Sequence, residues 1–208
     1  NRGFLMIAPH GGRLINRILG KKVCKGLETQ KDEFPKLVLN EDRIKEVRNI
    51  ANGVFSPLEG FLTQNDFLSV LEYGRLSSDV PWTIPIVLDI DIEKNDKFSA
   101  GDEVLLIEKD EKIIAILECE ELYQYDKKKM AESVFGTNDL DHPGVRQVYS
   151  MNDYLIGGKV SMIECTPTVF PQLNLTPKET RVLFKAKGWK KVVAFQTRNP
   201  PHIGHEYV

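Results

Sequence analysis

A mixed α/β fold in two unequal parts follows from three features of the sequence. Up to about residue 166, short β-rich runs outnumber helical ones and are separated by glycine and proline turns, the pattern of a small barrel. Residues 167–176 contain Pro167 and Pro171 with little periodicity, and read as a linker. Beyond them the order changes to helix, buried strand, polar loop and helix start, which is how an α/β domain begins. The expected division is therefore 1–166 and 167–208.

Taken in order, the chain opens with a turn at Pro9-His10-Gly11-Gly12-Arg13 and a short helix over 14–19. No catalytic role is assigned to His10. Leu39, Ile44, Val47 and Ile50 keep helical spacing on a charged background, which predicts a helix over 38–50. Residues 55–61 read as a packed loop anchored by Phe55 and Phe61. Thr63 and Asp66 form a weak capping box for a helix that ends before Gly74. Ile84, Ile86, Leu88 and Ile90 alternate as in a half-buried strand over 82–91.

Two further apolar runs, 104–108 and 113–119, pair as a hairpin across Lys109-Asp110-Glu111-Lys112. Glu118, Glu120 and Glu121 are expected at a solvated strand end. Asp126 caps a helix that runs through Phe135 to Gly136, with Lys127, Lys128 and Lys129 on its exposed face. A loop over 137–145 contains His142, and a strand over 154–163 bends at Gly157-Gly158. Thr176-Pro177-Lys178-Glu179 is a strong helix start: a threonine cap, proline at the first helical position and a glutamate to close the capping box. Val182, Leu183 and Ala186 form that helix's apolar stripe, and Gly188 ends it.

Composition limits the function. Two hundred and eight residues allow one large or two small domains with a real core. Lys plus Arg number 28 against 30 Asp plus Glu, so no basic surplus exists to hold nucleic acid. Hydrophobic residues make up 41 %, ordinary for a soluble chain. The apolar run at 4–8 is too short for a signal peptide or a membrane span. Cys24, Cys119 and Cys165 are odd in number and widely spaced, as reduced thiols of a cytoplasmic protein would be. Asn1 in place of methionine points to a clipped or engineered start.

The chemistry is concentrated near the C-terminus. Val192, Val193, Ala194 and Phe195 read as a strand buried on both faces. Gln196, Thr197, Arg198 and Asn199 follow at its carboxyl end, where open α/β sheets bind ligands. Pro200 and Pro201 stop strand pairing, and His202-Ile203-Gly204-His205 opens a helix whose free N–H groups favour an anion. His202 and His205, three apart, share one helix face. Gly204 lets a phosphate or nucleoside approach the backbone, and Arg198 offers a fork for two oxygens of a tetrahedral oxyanion.

The run from Gln196 to His205 resembles the Q-x-R-N-P-x-H-x-x-H signature of the ATP sulfurylase (sulfate adenylyltransferase) family. Pro9-His10-Gly11-Gly12, Phe55-Ser56-Pro57-Leu58-Glu59-Gly60-Phe61, His142-Pro143-Gly144-Val145 and Gly157-Gly158-Lys159 are similar to that family too, and in its order. The resemblance implies a PUA-like N-terminal domain followed by the start of a Rossmann-like nucleotidylyltransferase domain. It implies sulfate activation: ATP and sulfate give adenosine 5′-phosphosulfate and pyrophosphate. Gln196 and Arg198 would hold sulfate. Gln196, Thr197, Asn199, His202 and His205 would contact ATP, and Thr197, Arg198, Asn199, His202 and His205 would make up the catalytic set. Mg²⁺ would arrive with ATP, with no metal site of the protein's own. Family members commonly form homo-oligomers, and adenine and ribose contacts are expected beyond Val208.

Other readings stay open. His202–His205 also spells the H-I-G-H of class I aminoacyl-tRNA synthetases, and other nucleotidylyltransferases share H-x-G-H. The synthetases need a lysine motif downstream, whereas Lys127-Lys128-Lys129-Met130 lies upstream. A non-catalytic PUA-like module that binds RNA is the remaining alternative.

Overall fold

Strands β1 (Ile18–Leu19), β2 (Lys36–Val38), β3 (Gly60–Phe61), β4 (Leu88–Ile90), β5 (Glu103–Ile107), β6 (Ile113–Gln124) and β7 (Tyr154–Ile163) form one sheet in a computed structural model. The structure describes residues 7–92, 98–163 and 171–207. Helices α1 (Lys21–Gln30), α2 (Glu41–Ala51), α3 (Gln64–Tyr73), α4 (Lys127–Phe135) and α5 (Pro143–Ser150) surround the sheet. Helices α6 (Pro177–Lys187) and α7 (Ile203–Glu206) follow.

The sheet is built on the expected hairpin. β5 and β6 pair antiparallel, and β6 continues antiparallel along β7. Alternate residues of β5 serve different cores: Val104 and Leu106 face the main cluster, Leu105 and Ile107 a second one with Leu27, Ile113 and Ile116. Burial on both faces explains the unbroken apolar run in the sequence. In the main core, α2 contributes Val47, Ile50 and Ala51, and α3 contributes Phe67, packed with Leu117, Leu155 and Ile156.

A small barrel was expected, but the strands do not close. The path β1-β7-β6-β5-β2 is open, with β3 and β4 pairing only with β7. The fragments β4, β3 and β1 succeed one another along a single edge of β7, opposite Tyr154–Ile156, Gly158–Lys159 and Met162–Ile163 respectively. Closure would require the three-residue β2 to bridge to those fragments, while its ladder is with β5.

Close backbone approach decides the glycines of the 55–61 loop and the 157–158 bend. A Cβ on Gly60 would lie 1.8 Å from the Gly158 carbonyl oxygen, and one on Gly158 would lie 2.0 Å from that of Glu118. β6 bulges opposite this point, between Cys119 and Glu121, leaving Glu120 as the extra residue.

Several local expectations need correction. Over 14–19 no helix forms: β1 pairs parallel with β7 there, and the Arg17 N–H donates to the Ala51 carbonyl at 2.7 Å. Helix α1 has little apolar stripe for the sequence to show: among its described side chains Leu27 enters a core, while Val23 is exposed. The strand over 82–91 contracts to β4. Pro81 and Pro85 lack N–H groups, the Trp82 indole donates to the Ile84 carbonyl at 2.7 Å, and Ile84 is exposed. The 137–145 loop ends early, because Pro143 starts α5 and the Nδ1 of His142 accepts from the N–H groups of Gly144 and Val145.

Of the acidic residues expected in solvent, Glu118 and Glu120 are exposed, and both carry surface ion pairs. Glu118, Glu120 and Glu121 lie within β6 rather than at its end. Glu118 accepts from Arg17 at 2.6 Å, Glu120 pairs with Lys159 at 3.9 Å, and Glu121 accepts from the Gln64 N–H. Thr63 makes no side-chain cap of its own, and Asp66 accepts from Ser77 instead. Lys127 turns back to Asp153 at 2.7 Å and is not on an exposed face. Arg17 also donates to Glu59, Ser161 and the Val160 carbonyl, so it joins three segments at the sheet edge. Cys119 is a free, buried thiol, pushed up to about 11 by burial and then by nearby carboxylates. The Cys24 side chain, Cys165 and the expected boundary at 166/167 lie outside what is described.

Candidate active site

Helix α6 begins as its sequence requires. The Thr176 hydroxyl accepts from the Glu179 N–H, and the Glu179 carboxylate accepts from the Thr176 N–H at 2.8 Å and from its hydroxyl at 2.7 Å. Those bonds hold the Glu179 carboxyl below its usual range. Gly188 closes the helix in the left-handed region, φ 67°, and the Trp189 N–H donates to the Phe184 carbonyl, with the two rings 5.9 Å apart.

The strand expected at 192–195 is not formed, and Val192, Val193 and Phe195 are exposed. A strand exists by pairing, and no other strand of such a parallel sheet is present among the described residues to pair with it. The residues expected to follow it are nevertheless ordered into two local units. In the first, the Thr197 hydroxyl accepts from the Asn199 N–H at 3.1 Å and donates to the Asn199 carbonyl at 3.2 Å. Gln196 and Arg198 alternate with this pair and stand exposed.

The second unit is the histidine pair. The Gly204 N–H donates to His202 Nδ1 at 3.1 Å, and the His202 N–H donates to His205 Nδ1 at 3.2 Å. The two rings lie 3.8 Å apart between centroids, and Phe195 borders His205 at 5.5 Å. Because backbone N–H groups can only donate, both Nδ1 atoms are acceptors. Each neutral ring therefore carries its proton on Nε2. Gly204 has a further reason to be glycine, since a Cβ there would sit 3.0 Å from the His202 ring.

This assembly presents an amide, a guanidinium, a hydroxyl and two Nε2–H donors within ten residues of chain. Donors of these kinds suit tetrahedral oxyanions, and the structure brings the two histidines together but shows no contact between them and Gln196 or Arg198. The capping role of the two Nδ1 atoms was not legible in the sequence, because histidine is not a usual cap residue.

Residues 7–165 match the family model described as PUA-like domain. The chain belongs to that family. Downstream of the PUA-like domain, residues 171–208 match the ATP-sulfurylase model, and this stretch holds both units of the site. Over 96 % of its length the chain is 51 % identical to the sulfate adenylyltransferase of Pyrococcus abyssi and 50 % identical to that of Thermococcus onnurineus. It is 46 % identical to that of Halothermothrix orenii over 98 % of its length. It covers 52 %, 52 % and 54 % of those proteins, so the chain spans about half the length of the curated relatives it matches. Among solved structures, a hexameric APS kinase from Thiobacillus denitrificans superposes with a TM-score of 0.72 at 24 % identity. The match covers 97 % of this chain and 36 % of that one, a likeness of fold.

Proposed function

We propose that the PUA-like domain and the loop at 196–205 belong to a sulfate adenylyltransferase. Its reaction joins a sulfate oxygen to the α-phosphorus of ATP and breaks the bond from that phosphorus to the bridging oxygen of pyrophosphate. The observation that carries this reading is the histidine pair, with both Nδ1 atoms engaged and both Nε2–H groups left to donate, inside the stretch that matches ATP-sulfurylase.

Sulfate has no proton to lose at neutral pH, so a general base has little to contribute. Alignment and charge stabilisation must supply the rate. Arg198 and Gln196 bind sulfate, the arginine through charge and the amide through orientation. Thr197 and Asn199 contact the phosphates. His202 and His205 donate from Nε2 to the α-phosphoryl oxygens and the departing pyrophosphate. Mg²⁺ enters on the phosphates of ATP: the amide, guanidinium and imidazole donors of this loop suit oxyanions, not a hard cation. The loop and α6 are the beginning of a Rossmann-like nucleotidylyltransferase domain. The protein works in the cytoplasm as a homo-oligomer, without nucleic acid or membrane partners. Among the described residues, no helix is long and apolar enough to cross a membrane.

The test is sulfate-dependent pyrophosphate release from MgATP by a chain extended to the length of its relatives. Arg198→Ala should abolish that release while leaving the melting temperature unchanged, because Arg198 is exposed and outside the cores. Substantial retained activity would remove Arg198 from the sulfate site.

A further inference from the structure

Helix α6 precedes the site loop in the chain, and none of its residues is buried. Where it faces the PUA-like domain, a cleft of about 350 Å³ separates Asn16, Ile18 and Asn52 from Thr176 and Lys178. No fully buried apolar side chain therefore fixes the helix on the PUA-like domain. A polar contact spans the gap: both terminal guanidinium nitrogens of Arg181 donate to the Ile7 carbonyl, at 3.0 and 2.6 Å.

Ile7 leads into a segment that the PUA-like domain grips firmly. Two residues on, the Pro9 carbonyl accepts from the Gly12 N–H at 2.8 Å. His10 donates from Nε2 to the Pro81 carbonyl at 2.8 Å, and its ring lies 6.1 Å from that of Trp82. Gly11, in the left-handed region at φ 66°, lets the turn press on Pro57, where a Cβ would come within 2.6 Å of the proline ring. Arg13 pairs with Glu59. On the other side of the contact, the Gly188 cap and the Phe184–Trp189 stack join α6 to the chain that leads to Gln196.

We propose that Arg181 is a positioning residue: it ties α6, and through α6 the 196–205 loop, to the Ile7 carbonyl on the segment held by the PUA-like domain. This rests on the functional reading above. The anchored turn at 9–13 sets where Ile7 lies, and Arg181 transmits that placement to the loop that handles sulfate and phosphate. The Pro-His-Gly-Gly turn thereby acquires a task that needs no catalytic histidine. A planar fork with two donors aimed at one carbonyl restricts the helix in direction as well as distance, which a single ammonium cannot do.

Hydrogen exchange on the 208-residue chain tests the contact itself. Arg181→Ala should raise exchange across 177–187 about fivefold, the worth of a typical net hydrogen bond, and leave β6 and β7 unchanged. Arg181→Lys should fall between the two. Unchanged exchange in α6 of Arg181→Ala would overturn the proposal. In a chain extended to the relatives' length, Arg181→Ala should lower kcat about five- to tenfold, with KM for ATP and the melting temperature nearly unchanged, and Arg181→Lys should recover part of the loss. Full activity in Arg181→Ala, or a loss matched by a fall in melting temperature, would overturn the positioning role. An unsubstituted extended chain without sulfate-dependent activity would defeat the functional reading instead, and the exchange result would still decide the contact.

Discussion

His202 and His205 commit the same ring nitrogen, Nδ1, to the backbone, and so present the same nitrogen, Nε2, outward. An asparagine can copy that division of labour. Its carbonyl oxygen accepts from the backbone N–H and its amide nitrogen still donates. Alanine can do neither. In an extended, active chain, His202→Ala and His205→Ala should each lower kcat by about 10²-fold, the cost of removing one donor to a developing oxyanion, with little change in KM for ATP. The asparagine variants should retain clearly more. Steady-state kinetics with ATP varied at saturating sulfate separates the cases. A large rise in KM at constant kcat would make the histidines ground-state phosphate ligands.

Among the elements, two glycines make opposite demands. Gly60 in β3 lies against the Gly158 backbone, and a methyl group would have to displace main chain. Gly26 sits in the middle of α1, and a Cβ there would meet nothing within 4 Å. Gly60→Ala should therefore cost about 1–3 kcal/mol or more through overpacking. Gly26→Ala should instead gain roughly 0.5–1 kcal/mol, because alanine has the higher helix propensity. Urea unfolding of the two variants against the parent chain measures both. Equal effects would mean that β3 does not approach β7 as closely as described. The loop from Phe55 to Phe61 and the Gly157-Gly158 pair, far apart in sequence, thus form one structural device.

At the scale of the whole molecule, the site loop stands open. Val193 is 93 % and Tyr207 94 % exposed on either side of the predicted ligand-binding residues, and no wall closes over them among the described residues. A nucleotide bound there would remain largely in water, where each hydrogen bond and charge is worth little. The 208-residue chain alone should show no sulfate-dependent release of pyrophosphate, while a chain of the relatives' length should. Turnover by the short chain would show that the site is built elsewhere. The charge balance of 28 basic against 30 acidic residues leads to a companion expectation. Filter binding at low salt should detect no RNA retained by the PUA-like domain, since phosphate binding needs a surplus of cations.

Several interactions that span a few residues were readable from the sequence, although the histidine caps at His142 and His202 were not. The Thr176–Glu179 capping box, the Asp126 cap, the left-handed glycines at 74, 136 and 188 and the β5–β6 hairpin all depend on neighbours in the chain, and all appear where their residues required. The residue types of the candidate site can be read off for the same reason: amides, a guanidinium, a hydroxyl and two imidazoles fall between Gln196 and His205. Tertiary structure decided what depends on partners far along the chain. Only long-range pairing with β7 selects Leu88–Ile90 from the longer alternating run and leaves the sheet open. Only the fold brings Arg17 to Glu118, Gln64 to Glu121 and Arg181 to Ile7, across separations of 101, 57 and 174 residues. A polar side chain in a sequence declares what it can bond to, but its partner is set by backbone geometry that no local pattern encodes.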